Sequence, residues 1–183
     1  MNRREALRQG GRLATAAALW AGLPARTWAA LAAVPGWSDA EEQLLTLLGD
    51  TILPATPGSP GAGSVGIGRF VLMMTAECHG PDVAVAVRQL VRDVEADCQA
   101  AHGRGFSALN PAEREAILVA RERKAAEQAK GGRFDPFRHV KGLVLLGYFT
   151  SEPGATQALR YDPVPGTYRG SVTLGENERS WAL

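Results

Sequence analysis

The chain has 183 residues, 45% of them hydrophobic, and a net charge of +1 at neutral pH. Its first 32 residues hold five arginines and one glutamate, so the remainder carries a net charge of about −3. Binding to nucleic acid requires a basic face, and attraction to anionic lipid requires clustered Lys and Arg. The charge balance therefore excludes a nucleic-acid partner and gives no sign of lipid binding.

Residues 1–32 have the pattern of a targeting segment and are set apart from the fold. The pair Arg3 and Arg4, with Leu7 three residues later, precedes a modest apolar stretch and a small-residue cleavage site. That stretch is shorter than the roughly 20 residues of a membrane span. Paired arginines before a weakly apolar core are typical of a twin-arginine signal, whose translocase exports folded proteins. We predict export to the periplasm by this route; an uncleaved amphipathic membrane anchor is the alternative.

Residues 33–183 are predicted to form one mostly α domain of four to five helices, with an extended C-terminal tail rich in Pro, Gly and Tyr. Apolar residues recur at helical spacing, and no alternating strand pattern interrupts them. The predicted core faces are Leu44, Leu45, Leu48 and Ile52; Ile67, Phe70, Val71, Met74 and Cys78; Val83, Val87, Leu90, Val91, Val94, Cys98 and Ala101; and Ile117 with Leu118.

Capping residues predict where the helices begin. Ser38 and Glu41 have the spacing of a capping box, in which each side chain bonds to the backbone amide of the other residue. Asn110 is predicted as a second N-cap, with Pro111 at the first helical position and Glu113 at the third. Asp82 follows a Gly-Pro turn and is expected to cap the longest helix.

The loop between the first two predicted helices, residues 54–66, is rich in Pro, Gly and Ser. Its end, from Gly61 to Gly66, matches the G-x-G-x-x-G pattern of dinucleotide-binding turns. That fingerprint must follow a strand, whereas three prolines precede this one. We therefore predict a mobile loop without a cofactor.

Cys78 and Cys98, the two cysteines, would reach an oxidising compartment after export. In consecutive antiparallel helices they would lie about 20 Å apart at 1.5 Å rise per residue, whereas a disulfide needs Cα atoms within about 7 Å. Both lie on apolar faces, so buried free thiols are expected. A disulfide to a partner, or one within a sharply bent helix pair, is the alternative.

The sequence shows no catalytic apparatus, and we expect neither a metal nor a cofactor in this chain. Its three histidines lack the spacing of a helical metal site. Glu152 is the one carboxylate in an aromatic, apolar setting, where a structural hydrogen-bond acceptor and a functional acid are the two options.

The stretch from Val140 to Gly170 is the most informative part of the chain. Gly142 and Gly147 interrupt its apolar run, which indicates the close approach of another backbone. Aromatic residues and Arg are enriched at the energetic centres of interfaces, so we predict that this stretch docks a larger partner. The alternative is a buried last helix with the tail packed back over its own domain. The candidate interface residues are Tyr148, Phe149, Glu152, Arg160, Tyr161 and Tyr168.

The segment G-Y-F-T-S-E-P-G-A-T-Q-A-L-R-Y-D-P-V-P-G (147–166) resembles the C-terminal signature of the gluconate 2-dehydrogenase subunit 3 family. Two further stretches are similar to the same family: D-T-I-L-P-A-T-P-G-S-P-G-A (50–62) and H-G-R-G-F-S-A-L-N-P-A-E-R (102–114). Members of that family are small accessory subunits of exported, FAD-dependent sugar and polyol dehydrogenases.

The resemblance implies that this chain is not itself an enzyme. It implies a larger partner with FAD, of the glucose–methanol–choline (GMC) oxidoreductase type, that acts on sugars, glycosides or sugar acids, often with a cytochrome c acceptor. In the family, the small subunit carries the leader for a catalytic subunit that lacks one. The resemblance accordingly implies that the chain works in a periplasmic complex, through which it reaches the membrane.

Two other hypotheses stay open. A self-sufficient exported enzyme would require Glu152, His139 and Tyr148 to converge. A free-standing periplasmic helical protein with a small ligand of its own would require a deep apolar pocket.

Overall fold

The protein is described by a computed structural model over residues 36–129, 132–164, 166–167, 171, 173, 175–176 and 178–182. These residues belong to one compact unit. They are mostly helical and contain no strand, which confirms the predicted fold class.

Five α-helices form the described domain. They are α1 (Asp39–Ile52), α2 (Ile67–Glu77), α3 (Pro81–His102), α4 (Pro111–Ala129) and α5 (Pro136–Phe149). Short 3₁₀ turns (Ala62–Val65 and Phe106–Ala108) precede α2 and α4, and a π-helical turn (Gly154–Ala158) follows α5.

The helix starts follow local hydrogen bonding. Ser38 and Glu41 form the predicted capping box of α1. At the start of α4, the Asn110 side chain accepts from the Glu113 amide while the Glu113 carboxylate accepts from the Asn110 amide, both at 2.9 Å. The prediction for Asp82 is wrong: α3 begins one residue earlier at a proline, because a proline at the first helical position lacks only an amide that would be unpaired there.

The core lies where α1, α2, α3 and α5 meet. Its fully buried side chains come from the predicted apolar stripes, from the turn before α4 and from α5, for which no core stripe was predicted; they include Leu45, Leu48, Ile67, Val71, Val87, Val94, Phe106, Val140 and Val144. Close crossing of α1 and α2 depends on Gly68, since a Cβ there would lie 2.8 Å from the Thr46 backbone nitrogen. Most of the core therefore agrees with the helical spacing of apolar residues in the sequence.

Helices α2 and α5 run antiparallel, and two contacts define this arrangement. Near the start of α2, the Phe70 ring packs against Gly147, near the end of α5. Just beyond the end of α2, the His79 ring lies edge-to-face against His139 near the start of α5, with centroids 4.6 Å apart.

The two cysteines are free, and Cys98 is buried as expected. Cys78 is exposed, which corrects the expectation that both thiols are buried, because the residue falls beyond the last turn of α2. Among the described residues, no helix combines the length and apolar character that crossing a membrane requires.

Candidate functional site

Two sequence stretches almost 90 residues apart are joined at Tyr148. Its ring is buried, and its hydroxyl donates to the Pro60 carbonyl at 2.6 Å and contacts the Ser59 hydroxyl. A tyrosine buried in this way satisfies its polar end while its ring fills the core. The last helix therefore fixes the loop that precedes α2. We call this region, residues 50–63 and 147–158, the proline-loop corner.

The loop half of the corner is held by its own hydrogen bonds. Asp50 accepts from the Gly63 amide at 3.1 Å, and Ala62 donates to the Leu53 carbonyl at 2.9 Å. Thr56 and Ser59 exchange backbone hydrogen bonds of 2.8 and 3.2 Å. The loop is thus tied at both ends and across its middle, which corrects the prediction of a mobile segment.

The other half of the corner is the turn after α5. The Ser151 hydroxyl donates to the Tyr148 carbonyl at 2.6 Å and accepts from the Gly154 amide at 3.2 Å. A Cβ on Gly154 would collide with the Tyr148 carbonyl oxygen. Only glycine fits at this position, and because Gly154 lacks a Cβ the chain can leave α5 through the π-helical turn.

The third stretch, residues 102–114, forms the corner between α3 and α4. Phe106 is fully buried, and the Arg114 guanidinium donates to the carbonyls of Phe106 and Ser107 at 3.1 and 2.9 Å. The Glu95 carboxylate accepts from the Phe106 amide at 3.3 Å. These hydrogen bonds therefore hold the turn between α3 and α4 in place.

The described end of the tail packs against the segment that follows the π-helical turn. Arg160 and Trp181 form an isolated parallel bridge, and the Arg160 guanidinium lies 4.0 Å from the Trp181 ring centroid. Arg160 also forms an ion pair of 2.7 Å with Glu178. This part of the tail is consequently anchored to the segment that follows the π-helical turn.

The predicted interface residues separate into three groups. Tyr148 is buried and Phe149 is partly buried, edge-to-face with it at 5.2 Å. Glu152, Arg160 and Tyr161 are exposed. The aromatic, apolar setting expected for Glu152 is not found, because the turn after α5 leaves the residue in solvent. Tyr168 and the export residues Arg3, Arg4 and Leu7 lie outside the described residues.

The outer face of α5 is formed by Gly142, Leu145, Leu146 and Phe149, and it lies within the stretch predicted to dock a partner. Of these four residues, only Phe149 was named as a candidate interface residue. Leu145 and Leu146 are 36% and 48% exposed although they belong to an apolar run. Met73, on the adjacent helix α2, is 45% exposed. A helix that is apolar all round requires cover on every side. The apolar run from Leu143 to Leu146 was therefore the sequence signal that α5 needs cover on its outer face as well.

The structure also tests the expectation about the two α5 glycines. At Gly147 the close neighbours are the side chains of Phe70 and Ile67 rather than a backbone, and at Gly142 no described atom lies within 4 Å of a Cβ position. The close approach of another backbone, predicted for both glycines, is therefore not found among the described residues.

Titratable groups do not converge on a reaction centre within the described residues. Burial and the neighbouring His79 lower the pKa of His139, but Tyr148 lies nine residues along α5, about 13 Å away at helical rise. Glu152 is exposed beyond the helix end. No group of three or more His, Cys, Asp or Glu side chains placed to hold a metal occurs in this part of the chain.

An open groove of about 450 Å³ lies beside the proline-loop corner. Residues 55–60 form one wall, and Thr156, Gln157 and Arg179 form the other. Its lining is mixed polar and apolar, so it is not the deep apolar pocket that a free-standing binding protein would be expected to have.

A family model described as gluconate 2-dehydrogenase subunit 3 matches residues 39–166. The match contains all five helices and all three of the stretches that suggested the resemblance. The comparisons with curated proteins and with solved structures found no match.

Proposed function

We propose a function from the premise that this chain belongs to the gluconate 2-dehydrogenase subunit 3 family. In this proposal the chain is the non-catalytic small subunit of a periplasmic dehydrogenase. The family is an accessory subunit of a dehydrogenase complex. The partner proposed here is a catalytic subunit of the GMC type that carries FAD and oxidises a sugar, a glycoside or a sugar acid. A cytochrome c subunit is the proposed electron acceptor of the complex.

The outer face of α5 is the observation that carries this proposal. A soluble domain rarely exposes contiguous large apolar side chains unless they mark a binding surface. Leu145 and Leu146 stand out on this helix while its opposite side supplies Val140 and Val144 to the core. Glu152, Arg160 and Tyr161 come after α5 in the chain and are exposed, and we assign them to the polar rim that protein interfaces usually have.

The proposed role in export rests on the leader. Arg3, Arg4 and Leu7 have the spacing of a twin-arginine signal. A partner that acquires FAD in the cytoplasm must cross the membrane folded, and a bound subunit with such a leader would recruit the translocase for both chains. The complex then works in the periplasm, with the membrane reached through its other subunits.

The same contact accounts for a stabilising role. A ligand or subunit that binds the folded state alone lowers the unfolded population by mass action. The small subunit is therefore expected to raise the thermal stability of the catalytic subunit by an amount that grows with the logarithm of its affinity.

The docking surface is tested with Leu146→Asp and a matched control, Val85→Asp. Both residues are exposed apolar positions on helices, and Val85 lies on α3 with 65% exposure. Each tagged full-length variant is purified from the native host, and the flavin absorbance that co-elutes is measured. Leu146→Asp should lose the flavoprotein while Val85→Asp retains it. Equal recovery from the two variants would remove the outer face of α5 from the interface.

Export is tested by replacing Arg3 and Arg4 with Lys in the chain expressed with its catalytic partner. The chain and the dehydrogenase activity should both remain in the cytoplasmic fraction. Normal periplasmic activity of the variant would contradict the escort role without affecting the docking proposal.

A further inference from the structure

We propose that Gly142 is a contact residue for the catalytic subunit, where an apolar helix or a bulky apolar side chain of that partner packs directly on the α5 backbone. This inference rests on the proposed function, which supplies the partner. It assigns a role to one position that the fold of this chain leaves unexplained.

Glycine within a helix is costly because it loses more conformational freedom on folding than any other residue. A helical glycine therefore needs a compensating reason. The described helices contain four glycines: Gly49, Gly68, Gly142 and Gly147.

Three of these glycines are explained by the packing of the domain. A Cβ on Gly49 would lie 2.6 Å from Ile67 Cγ2, one on Gly68 would lie 2.8 Å from the Thr46 nitrogen, and one on Gly147 would lie 2.8 Å from Ile67 Cδ1. Real Cβ atoms essentially never come that close to another atom. Each of these glycines therefore permits a helix contact within the domain.

Gly142 has no such neighbour among the described atoms. Nothing lies within 4 Å of its Cβ position, and its backbone is regular helix without a positive φ. The domain itself would accept alanine there and would be more stable with it. The compensating reason must accordingly come from outside the described domain.

The surroundings of Gly142 specify an apolar occupant. Leu145, Leu146 and Phe149 lie one to two turns along the same face, so the missing side chain leaves a recess in an apolar surface. Lys141, the adjacent charged residue, is engaged in an ion pair with Glu122 at 2.8 Å. Arg138, one turn before Gly142 on the same face, is exposed. The occupant is therefore apolar over the recess, with an acidic or polar group favoured at its edge beside Arg138.

A protein fits this recess better than a lipid surface. Acyl chains are fluid and adapt to either alanine or glycine, whereas a fixed protein surface requires the space. A membrane-binding face would also carry clustered Lys and Arg. The family is associated with a dehydrogenase complex, and we assign the surface that fills the recess to the catalytic subunit of that complex, the partner under the proposed function.

The test measures two opposite effects of adding one methyl group at Gly142, which are a higher stability of the free chain and a lower affinity for the partner. In the full-length chain alone, Gly142→Ala should raise Tm by roughly 2–4 °C, because alanine is the better helix former. Its affinity for the purified catalytic flavoprotein should fall roughly tenfold or more, because a methyl group overpacks the contact. Gly142→Lys should bind still more weakly while the chain remains folded.

Gly147→Ala is the matched control, since it adds the same methyl group one and a half turns away on the buried side. It should lower Tm, because the Phe70 ring and Ile67 occupy that space. A Tm that falls in Gly142→Ala would overturn the inference, because the glycine would then serve the domain itself. Unchanged affinity of Gly142→Ala for the flavoprotein would overturn it as well.

The remaining outcomes separate this inference from the proposed function. If the wild-type chain binds no flavoprotein, the proposed function fails and the inference fails with it. If the wild type binds and Gly142→Ala binds equally, only the inference fails. Gly142→Ala is also tested for self-association in sizing experiments and for binding to vesicles of anionic phospholipid. If the variant loses either property but keeps its affinity for the flavoprotein, the recess belongs to another occupant and the proposal is overturned.

Discussion

The proline-loop corner and the outer face of α5 differ in how their residues are used. At the corner, Tyr148, Gly154 and Asp50 are all engaged by contacts within the chain. On the outer face, Leu145 and Leu146 remain exposed. Tyr148, Gly154 and Asp50, which belong to the stretches that resemble the family, therefore maintain the shape of this subunit, and the surface proposed for a partner lies beside them.

This difference has a physical basis. A rigid surface loses less conformational entropy when it binds, so fixing a backbone in advance increases affinity without adding a contact. Three prolines and the Tyr148 hydroxyl restrict the loop before any partner arrives. The corner is thus expected to support the docking surface rather than to form its energetic centre.

The largest effect is expected at Gly154. Gly154→Ala places a Cβ against the Tyr148 carbonyl oxygen, and the backbone must shift to relieve the overlap. We expect a loss of about 3 kcal/mol in the free energy of unfolding, measured by urea denaturation. Gly58→Ala, in open space on the loop half of the same corner, is the control and should stay close to wild type. Equal stability of the two variants would contradict the role assigned to the turn.

A smaller effect is expected from Tyr148→Phe, which removes the hydroxyl that donates to Pro60. The loss should be about 1 kcal/mol, because the partly buried Pro60 carbonyl then keeps only the longer hydrogen bond, of 3.3 Å, from the Ser59 hydroxyl. Limited proteolysis should also cut within residues 54–66 sooner than in the wild type. Tyr161→Phe, at a tyrosine that is 57% exposed, should change neither measurement. Protection equal to that of the wild type would show that the loop holds its shape without Tyr148.

The smallest effect concerns the end of the α2–α5 pair, where His139 lies against His79. Burial and the second histidine lower the pKa of His139 below its ordinary value of 6.5, so the folded state binds the proton less readily than the unfolded state. This contribution to stability is present above pH 6.5 and is lost as the pH falls through the lower, folded-state pKa.

His139→Gln should therefore reduce the decline in Tm between about pH 7.5 and pH 5, because the variant lacks that titration. His102→Gln is the control, since His102 lies at the end of α3, away from the pair. An unchanged pH dependence of Tm in His139→Gln would show that the pair does not couple protonation to folding.

Much of the fold was predictable because its signals are local. The helix caps at Ser38 and Asn110 are confirmed, and so are the core stripes through Leu45 and Val94, since both depend on residues three or four positions apart. The candidate interface was harder to predict. Tyr148 and Phe149 were chosen for their residue type, and residue type does not reveal which side of α5 faces the core.

The sequence by itself determined that this chain is helical, where most helices begin, and which family it belongs to, because periodicity, caps and motif residues are properties of neighbouring positions. Only the tertiary structure decided that the Tyr148 hydroxyl is used at Pro60 and that Leu145 and Leu146 are exposed. It also distinguished Gly147, which is packed against α2, from Gly142, which is open. The physical reason is that burial depends on which helix packs against which, and that choice involves contacts between residues far apart in the chain.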